Sequence, residues 1–346
     1  MPTTDTLSRD RTVVAPRPAQ AAPQPRIAVL IPCYNEEVAV PRVVTAFRAA
    51  LPEATIYVYD NNSKDGTVAA ARAAGAVVRT ENLQGKGHVV RRMFADIEAD
   101  AYVLVDGDDT YDASAAPAML RQMFGQRLDM VTGVRVTPQE VAAAAYRPGH
   151  QFGNAVLTGM VRWVFGDRIS DMLSGYRVFS RRFVKSFPAL ASGFETETEF
   201  TVHALELMLP VGEVPSTYKE RPAGSTSKLN TYRDGFRILR TIVTLVQRER
   251  PLMFFSAASA LLLLLALILA APLISTFLAT GLVPRLPTAV LATGLVLLSF
   301  LAMACGLILD TVTRGRQEAK RVAYLSVPGP DFETPTPGSP APGSMA

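Results

Sequence analysis

Apolar and polar positions alternate in blocks along the first third of the chain. RIAVLIP, residues 26–32, is an apolar run of strand length, followed by the turn-prone CYNEE and by VAVPRVVTAFRAAL, whose apolar residues recur at helical spacing. ATIYVYD then reads as a second strand, DNNSKDGT as a turn, and VAAARAAG as a helix closed by Gly75. AVVRT is a third strand. ENLQGKG is a glycine-bearing loop before the helix HVVRRMFADIEA, and AYVLVD is a fourth strand. Strands alternating with helices predict an α/β, doubly wound, mainly parallel sheet with ligands at the carboxyl ends of its strands. CYNEE, DNNSKDGT and DGDDTYD all fall at such ends, so the pattern predicts that they converge on one crevice.

Residues 113–228 mix helical and strand signals without a repeat. From Leu229, the segment LNTYRDGFRILRTIVTLVQRER places Phe236, Leu239, Ile242, Val243 and Val246 on one helical face and arginines on the other. This suits a helix lying at a membrane surface, or an ordinary amphipathic helix packed on a core. Leu252–Ala271 and Thr288–Leu309 are nearly uninterrupted apolar runs without a charge. Each is of about 20 residues, roughly 30 Å as a helix, enough to cross a bilayer. Two such runs in tandem predict a transmembrane hairpin rather than buried core helices. Arg237, Arg240, Arg248 and Arg250 precede it and Arg314, Arg316, Lys320 and Arg321 follow it, whereas the connecting loop holds only Arg285. The positive-inside tendency then puts both flanks, and the large N-terminal part, in the cytoplasm, on the inner membrane of a bacterial cell.

The predicted organisation is a disordered leader (1–25), a cytoplasmic catalytic domain (26–228), an amphipathic juxtamembrane helix (229–250), the hairpin (251–310), and a basic then disordered tail (311–346). The leader lacks the apolar centre of a signal peptide, and both ends are rich in Pro. A net charge of +4 over 346 residues, with the basic residues gathered beside the hairpin, gives no argument for a nucleic-acid partner. The two cysteines, Cys33 and Cys305, lie too far apart in the pattern for a disulfide framework or a thiolate metal site.

The fourth strand runs straight into Asp106, Asp108, Asp109 and Asp112. Like charges that close cost free energy unless a cation or hydrogen-bond donors offset them. Asp106 and Asp108 form an Asp-x-Asp at a strand end, and hard carboxylate oxygens suit Mg²⁺ or Mn²⁺ shared with substrate phosphates; a solvated turn with an Asx cap is the plain alternative. QGKGH sets Lys86 between Gly85 and Gly87 before a helix N-terminus, which reads equally as a turn or as a phosphate contact. It is neither a dinucleotide-binding nor a Walker loop.

Together IPCYNEE, DNNSKDGT, ENLQGKG and DGDDTYD, with SDMLSGYRVFSRRF and GFETETEF downstream, resemble glycosyltransferase family 2 and its A-type nucleotide-sugar-binding fold over residues 26–230. With YKERPAGSTSKL and the hairpin, the likeness narrows to the polyprenyl-phosphate sugar synthases. The resemblance implies that Pro32, Tyr34, Asn35 and Glu36 cradle the nucleoside, Asp60 its base or ribose, and that Lys86 approaches the donor. Asp106 would contact the nucleotide and share with Asp108 the metal. Where these enzymes show Asp-x-Asp-x-Gln, this chain has Thr110 in place of the glutamine. Asp171, Ser174, Gly175, Tyr176 and Arg177 match an acceptor-side motif, and Arg221, Ser227 and Lys228 an Arg-plus-Ser-Lys segment. With Arg147, Arg177, Arg221, Ser227 and Lys228, the acceptor phosphate would meet charge-assisted donors; Arg135 and His150 are weaker candidates, and interfacial snorkelling is the plain reading of the basic side chains.

Glu195, Glu197 and Glu199 in FETETEF admit two readings: a capping box between Thr196 and Glu199, or Glu197 or Glu199 as a general base or an orienter of the arginines. The expected activity is inverting transfer of a sugar from a nucleotide-diphosphate sugar, uridine favoured over guanosine, to a polyprenyl phosphate. The product would be a lipid-linked monosaccharide for cell-envelope glycan or lipopolysaccharide synthesis. The alternatives are a family 2 enzyme with a saccharide hydroxyl acceptor, and a non-catalytic membrane sensor or scaffold. The hairpin can stand alone or pack with copies of itself into a homo-oligomer.

Overall fold

The computed structural model describes residues 24–136, 159, 169–193, 195–219, 244 and 246–329. Among these, seven strands form one sheet in the order β3-β2-β1-β4-β6-β5-β7, where β1 is Ile27–Cys33, β2 Thr55–Asp60, β3 Val77–Thr80, β4 Ala101–Leu104, β5 Met130–Val136, β6 Arg177–Ser180 and β7 Val211–Thr217. The four predicted strands are present with boundaries shifted by one or two residues. Val29, Leu30 and Ile31 of β1 are fully buried, as a central strand covered on both faces requires. Helices α1 (Val40–Ala50), α2 (Thr67–Ala73), α3 (Lys86–Asp96) and α4 (Ala116–Gly125) connect or flank these strands.

The sheet is mixed. β1 pairs in parallel with β2 and β4, β2 with β3, and β5 with β7, whereas β6 runs antiparallel to both β4 and β5. Strand order reverses at β1, with β2 on one side and β4 on the other, so the crevice of a doubly wound sheet opens at the ends of β1, β2 and β4. One face carries an aromatic cluster of Phe94, Phe179, Phe183, Phe187 and Phe200, with Phe179 stacked on Phe183 at 4.6 Å between centroids. The other packs Phe47 edge-on to Tyr176. Helices α5 (Arg181–Ser186) and α6 (Thr196–Glu206) complete the domain.

Two helices, α7 (Pro251–Thr280) and α8 (Leu286–Leu325), are each long and apolar enough to cross a membrane, and few of their apolar residues are buried within the protein. Apart from Pro251 at the start of α7, their buried residues repeat every seven positions: Ser259, Ala266 and Leu273 on α7, and Ala292, Ser299, Gly306 and Thr313 on α8. This is the period of left-handed antiparallel packing, and small side chains let the backbones approach. The Ser259 and Ser299 hydroxyls hydrogen-bond at 2.9 Å, and Ser299 also donates to the Ser259 carbonyl. Residues 311–325, the first part of the stretch expected to be a basic and then disordered tail, continue α8 without a break. Of the predicted juxtamembrane helix 229–250, only Thr244 and 246–250 are described; Thr244 and 246–249 are helical.

Candidate active site

Each of the three polar strand ends contains one Asn or Asp in the left-handed backbone region, Asn35 at φ +54°, Asn62 at +65° and Asp109 at +58°. Asn and Asp visit that region at the least cost among residues with a Cβ. The first two loops are laced together. The Asn35 amide donates to Ser63 Oγ and its Oδ1 accepts from the Lys64 amide, both at 2.8 Å, while the Glu36 amide donates to Thr67 Oγ1 at 2.8 Å. Asp60, 4 % exposed, accepts from the Ser63 amide. Asn61 then ties in the third helix: its Nδ2 donates to the carbonyls of Glu81 and Leu83, and its Oδ1 accepts from the Gly85 amide at 2.7 Å.

Convergence of the acidic residues is read most directly at Cys33. Burial pushes its thiol pKa well up, and the negative charges of Glu36, Asp60, Asp106 and Asp108 push it further. Carboxylates from all three loops therefore act on this one thiol. Asp108, 6 % exposed, accepts from the hydroxyl of Thr110 at 2.6 Å and from its amide at 3.3 Å. Asp106 pairs with Lys86, whose ammonium also bridges to Glu197. Burial alone would lower the Lys86 pKa; Asp106 and Glu197 outweigh it and hold the ammonium charged, well above its usual range. The Glu197 carboxyl is displaced upward, first by burial and also by Asp106, against the pull of Lys86.

The far side of the crevice comes from β5, β7 and the segment before β6. Arg135 grips both oxygens of Asp171 at 2.7 and 2.8 Å and lies over the Tyr218 ring. Tyr218 packs edge-on to Tyr111 at 5.3 Å, and the Lys219 amide donates to the Thr110 carbonyl at 2.8 Å. Tyr218 and Lys219, the first residues of YKERPAGSTSKL, thus sit against the acidic loop.

Several expectations change. Arg177 does not face an acceptor: it is fully buried, donating to the carbonyls of Met172 and Ser174 and to Thr201 Oγ1, and burial lowers its pKa to about 10 against the raising charges of Glu197 and Asp171. Glu199 forms no capping box, because its carboxylate accepts from the amides of Leu190 and Ala191, both at 2.9 Å. Thr196 is the first helical residue and bonds the Gly193 carbonyl instead. Ser174 serves the core by donating to the Gly133 carbonyl at 2.6 Å. Gly85 and Gly87 are required by packing, since a Cβ at either would strike the carbonyl oxygens of Ser192 and Ala191. The bridge from Lys86 to Glu197 had no sequence signal; the lacing by Asn61, Ser63 and Thr67 lay inside a motif whose individual roles the spacing did not separate. Arg147, His150, Arg221, Ser227 and Lys228 lie outside the described residues.

No group of three or more His, Cys, Asp or Glu side chains is placed to hold a metal among the described residues. The donor set nevertheless fits a hard divalent cation of the Mg²⁺ kind, which is held by one or two carboxylates and otherwise by substrate phosphates.

The profile of Glycosyl transferase family 2 matches residues 28–187. Glycosyltransferase AglJ of Haloferax volcanii is 32 % identical over 237 residues, 67 % of this chain and 75 % of that protein. A dolichyl-phosphate hexose transferase of the same organism is 28 % identical over 231 residues, 65 % of this chain and 95 % of that one. Among solved structures, glucosyl-3-phosphoglycerate synthase of M. tuberculosis superposes with a TM-score of 0.52 at 20 % identity, covering 64 % of this chain and 80 % of that one, a likeness of fold. With its mixed sheet, its laced strand-end loops and these relatives, the chain belongs to glycosyl transferase family 2 and is a glycosyltransferase.

Proposed function

We propose that the enzyme transfers a sugar, with inversion, from a nucleoside-diphosphate sugar to a polyprenyl phosphate at the cytoplasmic leaflet of the inner membrane. One observation carries the reading: the loop of Asp106 and Asp108 touches the Lys86 loop on one side and, from the Thr110 carbonyl to the Lys219 amide, the start of the basic segment YKERPAGSTSKL on the other, in a chain with two helices long and apolar enough to cross a membrane. Pro32, Tyr34, Asn35, Glu36 and Asp60 line the nucleoside side. Asp106 and Asp108 would hold a divalent cation, which when bound neutralises charge on the departing diphosphate.

The chain's own residues set up the displacement. A phosphate oxygen of the acceptor forms the new bond to the anomeric carbon while the bond to the diphosphate breaks, and the diphosphate leaves with the electron pair. Lys86, kept charged by its two carboxylates, adds a fixed positive charge on the donor side. Arg135, with Arg147, Arg221, Ser227 and Lys228, is assigned to the acceptor phosphate. A hydroxyl acceptor would need a base. Glu199 is committed to loop amides and Glu197 to Lys86, which favours an acceptor that is already an anion. Membranes containing the enzyme, given radiolabelled nucleotide sugars, are expected to accumulate label in a mild-acid-labile lipid; label found only in an acid-stable saccharide would overturn the lipid acceptor.

A further inference from the structure

The apolar part of α8 ends at Leu309, yet the helix runs on for sixteen residues, Asp310–Leu325, about 24 Å at the rise of an α-helix. This extension is fastened at three levels. Thr313 Oγ1 and Arg316 Nη2 both donate to the Arg248 carbonyl at 3.1 Å, and Arg316 pairs with Glu249 at 2.8 Å, locking the exit of α8 to the residues before α7. Farther along, Lys320 pairs with Glu206, whose side chain is wholly buried, at 2.5 Å. Near the tip, the Tyr324 hydroxyl donates to Asp129 Oδ2 at 2.8 Å while Arg182 covers its ring at 5.5 Å.

The partners are not scattered. Glu206 is the last residue of α6, and Asp129 immediately precedes β5. The other ends of these two elements carry Glu197, which holds Lys86, and Arg135, which faces Asp171 and Tyr218. α6 spans about 14 Å from Glu197 to Glu206 and β5 about 20 Å from Asp129 to Arg135. Asp129 is fixed further by the Ser180 hydroxyl at 2.5 Å. Two stiff elements therefore join the helix extension to the donor and acceptor sides of the crevice.

We propose that the cytoplasmic half of α8 is a strut that sets the crevice at a fixed offset from the bilayer, with Lys320 and Tyr324 as positioning residues for a membrane-embedded acceptor. The proposal rests on the lipid-phosphate reading above. A phosphate on a membrane-anchored tail has restricted height, so a site held at one height meets it in line, whereas a tethered but swinging domain meets it rarely.

The test uses the full-length enzyme in lipid nanodiscs. One variant combines Tyr324→Phe with Lys320→Met and Glu206→Gln, the last change removing a buried carboxylate that would otherwise lose its cation; Lys320→Arg is the conservative control. The distance distribution between a label at Glu53→Cys and the bilayer surface is measured beside transfer to a long bilayer-embedded polyprenyl phosphate and to a short, detergent-soluble prenyl phosphate. A broadened distribution is expected in the triple variant, with kcat/KM reduced at least roughly tenfold for the long acceptor and held within about twofold for the short one. Lys320→Arg alone should keep the long-acceptor rate of the unmodified enzyme. An unchanged distribution, or equal loss on both acceptors, would overturn the strut. Should the unmodified enzyme use neither prenyl phosphate, the acceptor reading fails, and the distance distribution still decides whether the extension fixes the domain.

Discussion

The ammonium of Lys86 and the carboxylate of Glu197, 111 positions apart in the chain, meet where the two side chains are only 9 % and 7 % exposed. A pair this deep is sensitive to the loss of one member, because the survivor is left as an uncompensated buried charge.

Lys86→Met is therefore expected to cost about 3–5 kcal/mol of stability, seen as a fall in Tm of the detergent-solubilised protein. Adding Glu197→Gln should recover most of that loss while activity stays abolished. Additive losses in the two single variants would disprove the coupling.

Asp108→Asn keeps the shape of the side chain and removes its charge. Transfer should drop by roughly 10²–10³-fold, and the stimulation of nucleotide binding by Mn²⁺, followed by calorimetry, should vanish with the circular dichroism unchanged.

Arg177→Lys separates a structural guanidinium from an acceptor contact. Lysine cannot reproduce the fork that reaches Met172, Ser174 and Thr201. Stability should fall by about 2–3 kcal/mol. The KM for the acceptor should move by less than about twofold, since the group is sealed away from any ligand.

His203 gives the pH dependence. Its ring is 1 % exposed; burial first, and Lys320 second, depress its pKa to about 3. The unfolded chain has the ordinary histidine pKa of about 6.5 and so binds the proton first as pH falls. Stability is complete above that value and declines below it by about 1.4 kcal/mol per pH unit from this one group until the folded pKa is reached. Melting curves between pH 7.5 and 5.5 should show the decline, and His203→Phe should flatten it.

The first four strands, the helices between them and the convergence of the loops could be read from the order of apolar runs and turn residues alone, because a parallel strand covered on both faces is almost uniformly apolar. β6 could not: four residues, RVFS, follow a polar motif, and nothing local marks a strand as antiparallel. The same motif hid the burial of Arg177, since sequence shows the charge but not the carbonyl oxygens that receive it. The helical run past Leu309 was masked by the fall in hydropathy there. That fall ends the run apolar enough to cross a membrane, whereas QEAKRVAYL retains good helix formers and the helix continues.

The seven-residue seam between α7 and α8 writes its specificity in size. Positions such as Leu264, Leu297 and Phe300, turned outward and well exposed, can exchange one oily side chain for another with little effect on how the two helices meet. Ser259, Ala292 and Gly306 have no such latitude, for a branched or ringed substituent would wedge the pair apart along its length. Mutational drift in this helix pair should therefore fall on its outer surface and spare the line of close approach.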